Sequence, residues 1–284
     1  MLDTASQLTA PNRTVHAANG VTYAYRRLGA PMSHMPPLVL LQHYRGNLDN
    51  WDPALIDALA ADREVIVFDN AGVAASTGET PRTVTAMAHD ALRFIEALEV
   101  PEVDLLGFSL GGFVGQELTL IRPRLVRRLV LAGTGPQGGE DMHGFGDDVF
   151  PSAVRDEPGP EDLLALFFTG SESSIAKGWE FVGRIFKRTE SRDGDTTLAT
   201  RDAQLDAIHA WGIPDASRLN RLAGIRQAVL VANGDSDRMV PTKNSYLLAE
   251  CLPDAQLKVY PDAAHGFLFQ HPAEFATDVG AFLA

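Results

Sequence analysis

Ser109 is the residue from which a chemistry can be read. It stands in Gly107-Phe108-Ser109-Leu110-Gly111, preceded by the apolar run Val103 to Leu106 and followed by Phe113, Val114 and Leu118 at helical spacing until Pro123 closes the segment. Strand, tight turn and helix in that order form a nucleophile elbow, in which glycines two before and two after the serine remove side chains that would strike neighbouring backbone. A serine hydroxyl is a poor nucleophile near neutral pH, so it needs a base within hydrogen-bond reach and a carboxylate to orient that base.

Both are available downstream. The strand-like run Ala228 to Ala232 leads into Asn233-Gly234-Asp235-Ser236-Asp237-Arg238, which puts two acidic residues in a loop at the carboxyl end of a strand, the edge where open α/β sheets bind ligands. Asp235 and Asp237 are both candidates for the acid. Further on, Gln256 to Tyr260 reads as a strand and runs into Pro261-Asp262-Ala263-Ala264-His265-Gly266, which makes His265 the candidate base and Asp262 a turn former. His89 falls within a helical pattern and His271 precedes Pro272 at a helix start, so both read as structural. No H-x-x-x-H or comparable ligand spacing occurs, and neither a metal site nor a cofactor is expected.

The elements that must position these residues alternate. Thr14 to His16 and Val21 to Tyr25 flank Ala18-Asn19-Gly20, a hairpin signal, and Leu38 to Leu41 and Glu64 to Phe68 read as buried strands separated by a helix that starts at Asp52-Pro53. Val84, Met87, Ala88, Ala91, Leu92, Ile95 and Leu98 trace one helical face before the elbow strand, and Leu125 to Leu131 supplies the strand after it. The chain closes on a helix from Pro272 with Phe275, Val279 and Phe282 on one side. Residues 135–224 have glycine-rich edges and few β-branched runs, which points to a helical insertion acting as a cap or lid, with 1–134 and 225–284 as the core. The insertion carries Phe167, Phe168, Trp179, Phe181, Phe186 and Trp211.

Length and composition set bounds. At 284 residues and 45% hydrophobic content the chain suits one elaborated α/β domain. A formal charge of −13 with no basic run longer than Arg127-Arg128 argues against nucleic acid or an anionic membrane as partner and leaves a small-molecule substrate. The single cysteine, Cys251, excludes an intramolecular disulfide. Met1-Leu2-Asp3-Thr4-Ala5-Ser6-Gln7 lacks the basic start and apolar stretch of an export signal, and nowhere do eighteen apolar residues run together, so a cytoplasmic location is expected.

With Ser109, the acidic loop and His265 in that chain order, the sequence resembles the α/β-hydrolase superfamily over nearly all of its length outside the insertion. Phe68-Asp69-Asn70-Ala71-Gly72-Val73-Ala74-Ala75-Ser76 is similar to the family's D-x-x-G-x-G-x-S turn, with Ala74 at the second glycine. The resemblance implies a mostly parallel eight-stranded sheet with flanking helices and a helical cap. It also implies roles: Ser109 the nucleophile, His265 the general base and then acid, and Asp237, three residues after Gly234, the acid that holds the imidazole, with Asp235 the alternative. Leu110 would supply one backbone N–H to an oxyanion. Aligning Gln42-His43 with the family's His-Gly makes Tyr44 the second donor, although the loop Gln42-His43-Tyr44-Arg45-Gly46 lacks that glycine.

Family members with aspartate at the elbow open epoxides or remove halide through an alkyl-enzyme ester, whereas serine makes acyl chemistry the expectation. The reading is a serine-dependent hydrolase of a carboxylic ester, lactone or related acyl compound. Its alternatives are a hydrolase of carbon–carbon bonds in a diketone and a receptor that uses the retained pocket. Tyr44, Phe168, Trp179 and Trp211 are the expected substrate contacts, lining an apolar chamber for an apolar or aromatic substrate.

Overall fold

The structure, a computed structural model, describes residues 5–32 and 35–284. Met1 to Thr4, part of the segment tested above for an export signal, lie outside the described residues. Eight strands form one sheet: β1 (Arg13–His16), β2 (Thr22–Leu28), β3 (Leu38–Leu41), β4 (Val65–Phe68), β5 (Val103–Phe108), β6 (Val126–Ala132), β7 (Ala228–Gly234) and β8 (Ala255–Tyr260). Their order is β1-β2-β4-β3-β5-β6-β7-β8, with β1 and β2 antiparallel at one edge and β4 through β8 parallel. The fully buried β3, β4 and β5 are near-continuous apolar runs, as strands covered on both faces must be.

Ten helices accompany the sheet: α1 (Pro53–Leu59), α2 (Val84–Ala97), α3 (Leu110–Ile121), α4 (Phe150–Ala153), α5 (Pro160–Phe167), α6 (Glu172–Ile185), α7 (Leu198–Gly212), α8 (Lys243–Cys251), α9 (Phe267–Gln270) and α10 (Pro272–Leu283). Helix α1 starts where the sequence places it: Asp52 caps it by accepting from the Ala54 amide at 2.9 Å, and Pro53 fills the first turn. Helix α2 buries Val84, Met87, Ala88, Ala91, Leu92 and Ile95, and Leu98, which caps the helix, packs partly buried against the same core. At the first hairpin the Ala17 amide bonds the Val21 carbonyl at 2.9 Å across a three-residue loop, so Gly20 alone takes a positive φ.

Two apolar clusters fill the two faces of the sheet, one under α2, α3 and α8, the other under α1, α9 and α10. Residues between β6 and β7 carry α4 through α7 and a 3-10 helix, Ala216–Gly224. This insertion rests on both faces. Trp211 of α7 stacks on Phe113 of α3 with ring centres 5.2 Å apart, and Phe181 of α6 stacks on Phe269 of α9 at 4.5 Å. It therefore straddles the carboxyl ends of the parallel strands, the edge at which Ser109, Asp237, His265 and Tyr44 all leave the sheet.

The junction of β5 and α3 is a close backbone approach. A Cβ at Gly111 would overlap the Leu41 carbonyl oxygen at the end of β3, and one at Gly107 would overlap the Gly111 carbonyl. Backbone cannot yield as a flexible side chain can. We therefore expect Gly111→Ala to cost about 3 kcal/mol or more of stability in urea unfolding. Gly183→Ala, on the exposed side of α6 with open space around its Cβ, should instead stabilise by about 0.5 to 1 kcal/mol. Equal effects at the two positions would remove the steric account of the elbow glycines.

Candidate active site

Ser109 holds φ 56° and ψ −119°, a conformation that side-chain-bearing residues rarely adopt and that costs of the order of 1–3 kcal/mol. Its surroundings over-determine it. The Ser109 amide donates to the Ala132 carbonyl of β6 at 2.9 Å, and its own carbonyl accepts from Thr134 Oγ1 at 2.9 Å and from the Gly112 amide at 2.8 Å. Leu110 is the first residue of α3, so its N–H has no partner within the helix.

His265 lies after β8 and Asp237 after β7. Their side chains are buried and meet at 2.7 Å, Nδ1 to Oδ2, and because a carboxylate only accepts, Nδ1 carries the proton. Asp237 Oδ1 accepts from the Met239 and Val240 amides at 2.9 and 3.0 Å, which fixes the carboxylate plane. His265 Nε2 has no hydrogen-bond partner among the described residues, and both His265 and Ser109 line one cavity. Asp235 does not meet the imidazole. It accepts from the Asp262 and Ala263 amides at 3.1 and 3.3 Å and so ties the β7 loop to the turn that delivers His265. Asp262 occupies that turn with φ 51° and also accepts from Thr169, Ser171 and Ser173 at 2.9, 2.7 and 2.6 Å, bonds that hold its carboxyl below the usual range.

The loop after β3 keeps its shape without the missing glycine. Gln42 accepts from the His43 amide at 2.9 Å through Oε1 and donates to the Asn47 carbonyl at 2.7 Å through Nε2. The His43 carbonyl accepts from the Gly46 amide at 3.1 Å, and His43 Nδ1 donates to the Tyr44 carbonyl at 2.8 Å. Among the described residues the Tyr44 N–H has no protein acceptor. The Tyr44 ring borders the cavity and its hydroxyl donates to the Ala153 carbonyl at 3.2 Å; burial pushes that phenol up to about 12.

The cavity holds about 430 Å³ and has two characters. Its wall combines the apolar Tyr44, Leu163, Leu166, Phe167 and Met239 with the polar Asn47, Asn50, Arg192, Asp193, Thr196 and Thr197. Of the four expected substrate contacts only Tyr44 borders it. Phe168 is buried among core side chains next to Phe181, Trp211 is spent on Phe113, and Trp179 points to solvent at 47% exposure. Helical spacing marks which side chains share a face but not what the face meets, so aromatics of the insertion were indistinguishable in the sequence. Phe167, one of the insertion aromatics expected to form an apolar chamber, does line the cavity, whereas His43 and the polar Asp193, Asp195, Thr196 and Thr197 were missed as cavity residues. Among the described residues no three histidine, cysteine, aspartate or glutamate side chains group as metal ligands, and no helix is long and apolar enough to cross a membrane.

Comparison with known proteins agrees with this architecture. A family model for the alpha/beta hydrolase fold matches residues 36–272. The chain belongs to the α/β-hydrolase fold family. An alpha/beta hydrolase fold protein from Chitinophaga pinensis superposes with a TM-score of 0.91 at 44% identity, covering 98% of each chain. A protein of Azorhizobium caulinodans, named as a candidate carbamate hydrolase, is 29% identical over 249 residues, 84% of this chain and 88% of the relative. A poly(3-hydroxyalkanoate) depolymerase of Ectopseudomonas oleovorans is 29% identical over 290 residues, 95% of this chain and 92% of that one.

In this α/β-hydrolase His43 is the titratable group whose environment has the plainest consequence. Burial, with His265 nearby as a smaller contribution, lowers it from 6.5 to about 4, so the imidazole is neutral at pH 7 and presents a bare Nε2. As pH falls, the unfolded chain takes up a proton near 6.5 while the folded one resists until about 4. The stability contributed by the neutral ring is therefore complete above about 6.5 and lost between there and about 4, a loss of about 3 kcal/mol. Urea unfolding across that window should show it, with His43→Gln giving a flatter profile. An equally steep profile in the variant would place the pH dependence elsewhere.

Proposed function

We propose that the chain is a serine-dependent hydrolase of carboxylic esters, lactones or related acyl compounds. The observation that carries this is the His265–Asp237 pair at 2.7 Å with its second ring nitrogen unpartnered at the cavity that also contains the strained Ser109. In this reading His265 Nε2 takes the proton of Ser109 Oγ as the oxygen attacks the carbonyl carbon. The resulting oxyanion is held by the Tyr44 and Leu110 amides, and the protonated imidazole is held by Asp237. Collapse breaks the bond to the leaving oxygen, which takes the proton from His265 and departs, leaving an acyl-serine. Water then attacks the acyl carbon, giving its proton to His265, and the second collapse returns that proton to Ser109 and frees the acid. Serine–histidine contacts tighten when a reactant fills the site, so the hydrogen bond from Ser109 forms in the loaded enzyme.

Residues 135–224 act as the lid. They supply Leu163, Leu166 and Phe167 to the apolar lining of the cavity and Asp193, Asp195, Thr196 and Thr197 to its polar lining. The substrate in this reading has both an apolar part and hydrogen-bonding groups. Relatives named for carbamate hydrolysis and for poly(3-hydroxyalkanoate) depolymerisation fit acyl chemistry at a carbonyl.

Turnover of a panel of esters, lactones, carbamates and vinylogous diketones by the purified protein tests the reading. Ester or lactone hydrolysis supports it. Cleavage of diketones alone would replace it with carbon–carbon hydrolysis, and tight binding with at most one turnover would make the protein a receptor. A p-nitrophenyl phosphonate should label the chain once, at Ser109, by intact mass and peptide mapping. Asp237→Asn should lower kcat by about 10³- to 10⁴-fold, whereas Asp235→Asn, which keeps an oxygen for its backbone contacts, should stay within about tenfold. Reversed losses would move the acid to Asp235.

A further inference from the structure

In the loop after β3 the Arg45 amide is met by a group from outside the loop. Gln204 of α7, 1% exposed, accepts from the Arg45 amide through Oε1 at 2.7 Å. The same peptide unit gives its oxygen, the Tyr44 carbonyl, to His43 Nδ1 at 2.8 Å. The plane joining Tyr44 to Arg45 is thus clamped at both ends. Arg45 itself has φ 62°, left-handed backbone for a residue with a side chain. The insertion holds it there from other sides as well: Thr196 Oγ1 donates to its carbonyl at 2.6 Å, and its guanidinium donates to the Arg155 and Asp156 carbonyls at 2.6 and 3.0 Å.

We propose that Gln204 is a positioning residue for the oxyanion donor, so that a side chain of α7 sets the rate of acyl transfer without itself touching the substrate. The inference rests on the hydrolase reading above. Gln204 is absent from the cavity wall, so it acts on the reacting atoms only through the loop. Without its oxygen the Arg45 N–H loses its acceptor, and the strained φ loses the bond that opposes its relaxation. A turned peptide between Tyr44 and Arg45 would also break the bond from His43 and re-aim the neighbouring Tyr44 N–H. The oxygen placed 159 residues downstream thereby does what a glycine does in the His-Gly form of this loop: it makes the turn tenable.

The test compares Gln204→Met, which keeps the volume and removes the acceptor, with Gln204→Glu, which keeps an acceptor oxygen. The probe is the p-nitrophenyl phosphonate, whose P=O oxygen needs the same amides, and the readout is the second-order rate of Ser109 labelling with the melting temperature of each variant alongside. Gln204→Met should label at least tenfold more slowly and Gln204→Glu within threefold of the wild type. On the best ester of the panel Gln204→Met should lose kcat with KM within twofold. Gln204→Asn, which withdraws the acceptor by one methylene, should fall like Gln204→Met and serves if that variant does not fold. Wild-type labelling rates in Gln204→Met or Gln204→Asn would overturn the proposal, as would equal slowing in Gln204→Met and Gln204→Glu, which would assign the effect to packing. A wild-type protein that takes no label at Ser109 contradicts the hydrolase reading itself, and the inference with it.

Discussion

The backbone of α3 touches the end of β3, and the site depends on that contact. Gly111 sits so close to the Leu41 carbonyl that no side chain fits between them. Leu41 is the last residue of β3, and the loop Gln42 to Gly46 starts immediately after it. One steric constraint therefore sets the turn at Ser109 beside the loop that carries the Tyr44 amide. The absence of side chains at Gly107 and Gly111 is what lets these two segments of backbone approach. The strain at Ser109 is local, whereas the bonds that hold it, to Ala132 and Thr134, come from β6 and the segment after it.

The insertion is fastened to the core where the candidate catalytic residues leave the sheet. Arg184 of α6 makes a two-pronged contact with the buried carboxylate of Asp52 at 2.8 and 2.7 Å, a geometry worth more than exposed ion pairs of the kind that dot the surface. The Gly266 amide, next to His265, donates to the Phe167 carbonyl at 2.7 Å, and Asp262 gathers three hydroxyls from the start of α6. On the other side Arg45 is bound to residues 155, 156, 196 and 204. A segment held at both the turn before His265 and the loop after β3 is part of the candidate site's geometry. On the cavity wall, burial and the nearby Asp49 raise the Asp193 carboxyl.

Much of this was legible in the sequence because it is local. The elbow needs glycines at fixed offsets, the parallel strands need unbroken apolar runs, and the hydrolase order of serine, acid and histidine needs only three loops at strand ends. The antiparallel start was legible in the Asn-Gly hairpin signal and the mostly parallel eight-stranded sheet in the resemblance, whereas the placing of β4 between β2 and β3 is a matter of tertiary pairing. What was not legible is non-local. Nothing in Gln42-His43-Tyr44-Arg45-Gly46 says that a glutamine on α7 will receive the Arg45 amide, and nothing in the period of α6 says that Phe181 faces the core while Trp179 faces water. The cavity's polar lining was hidden for the opposite reason: attention to aromatic residues passes over a run of aspartates and threonines whose placement only tertiary structure reveals.

The central claim is that Ser109, His265 and the Tyr44 and Leu110 amides converge on one reacting atom. The crystal structure of the Ser109 phosphonate adduct measures this directly. The account predicts the phosphoryl oxygen within about 3 Å of both amide nitrogens and His265 Nε2 within hydrogen-bond reach of Ser109 Oγ. An adduct whose phosphoryl oxygen faces the cavity's polar lining, with the Tyr44 N–H turned away, would contradict it.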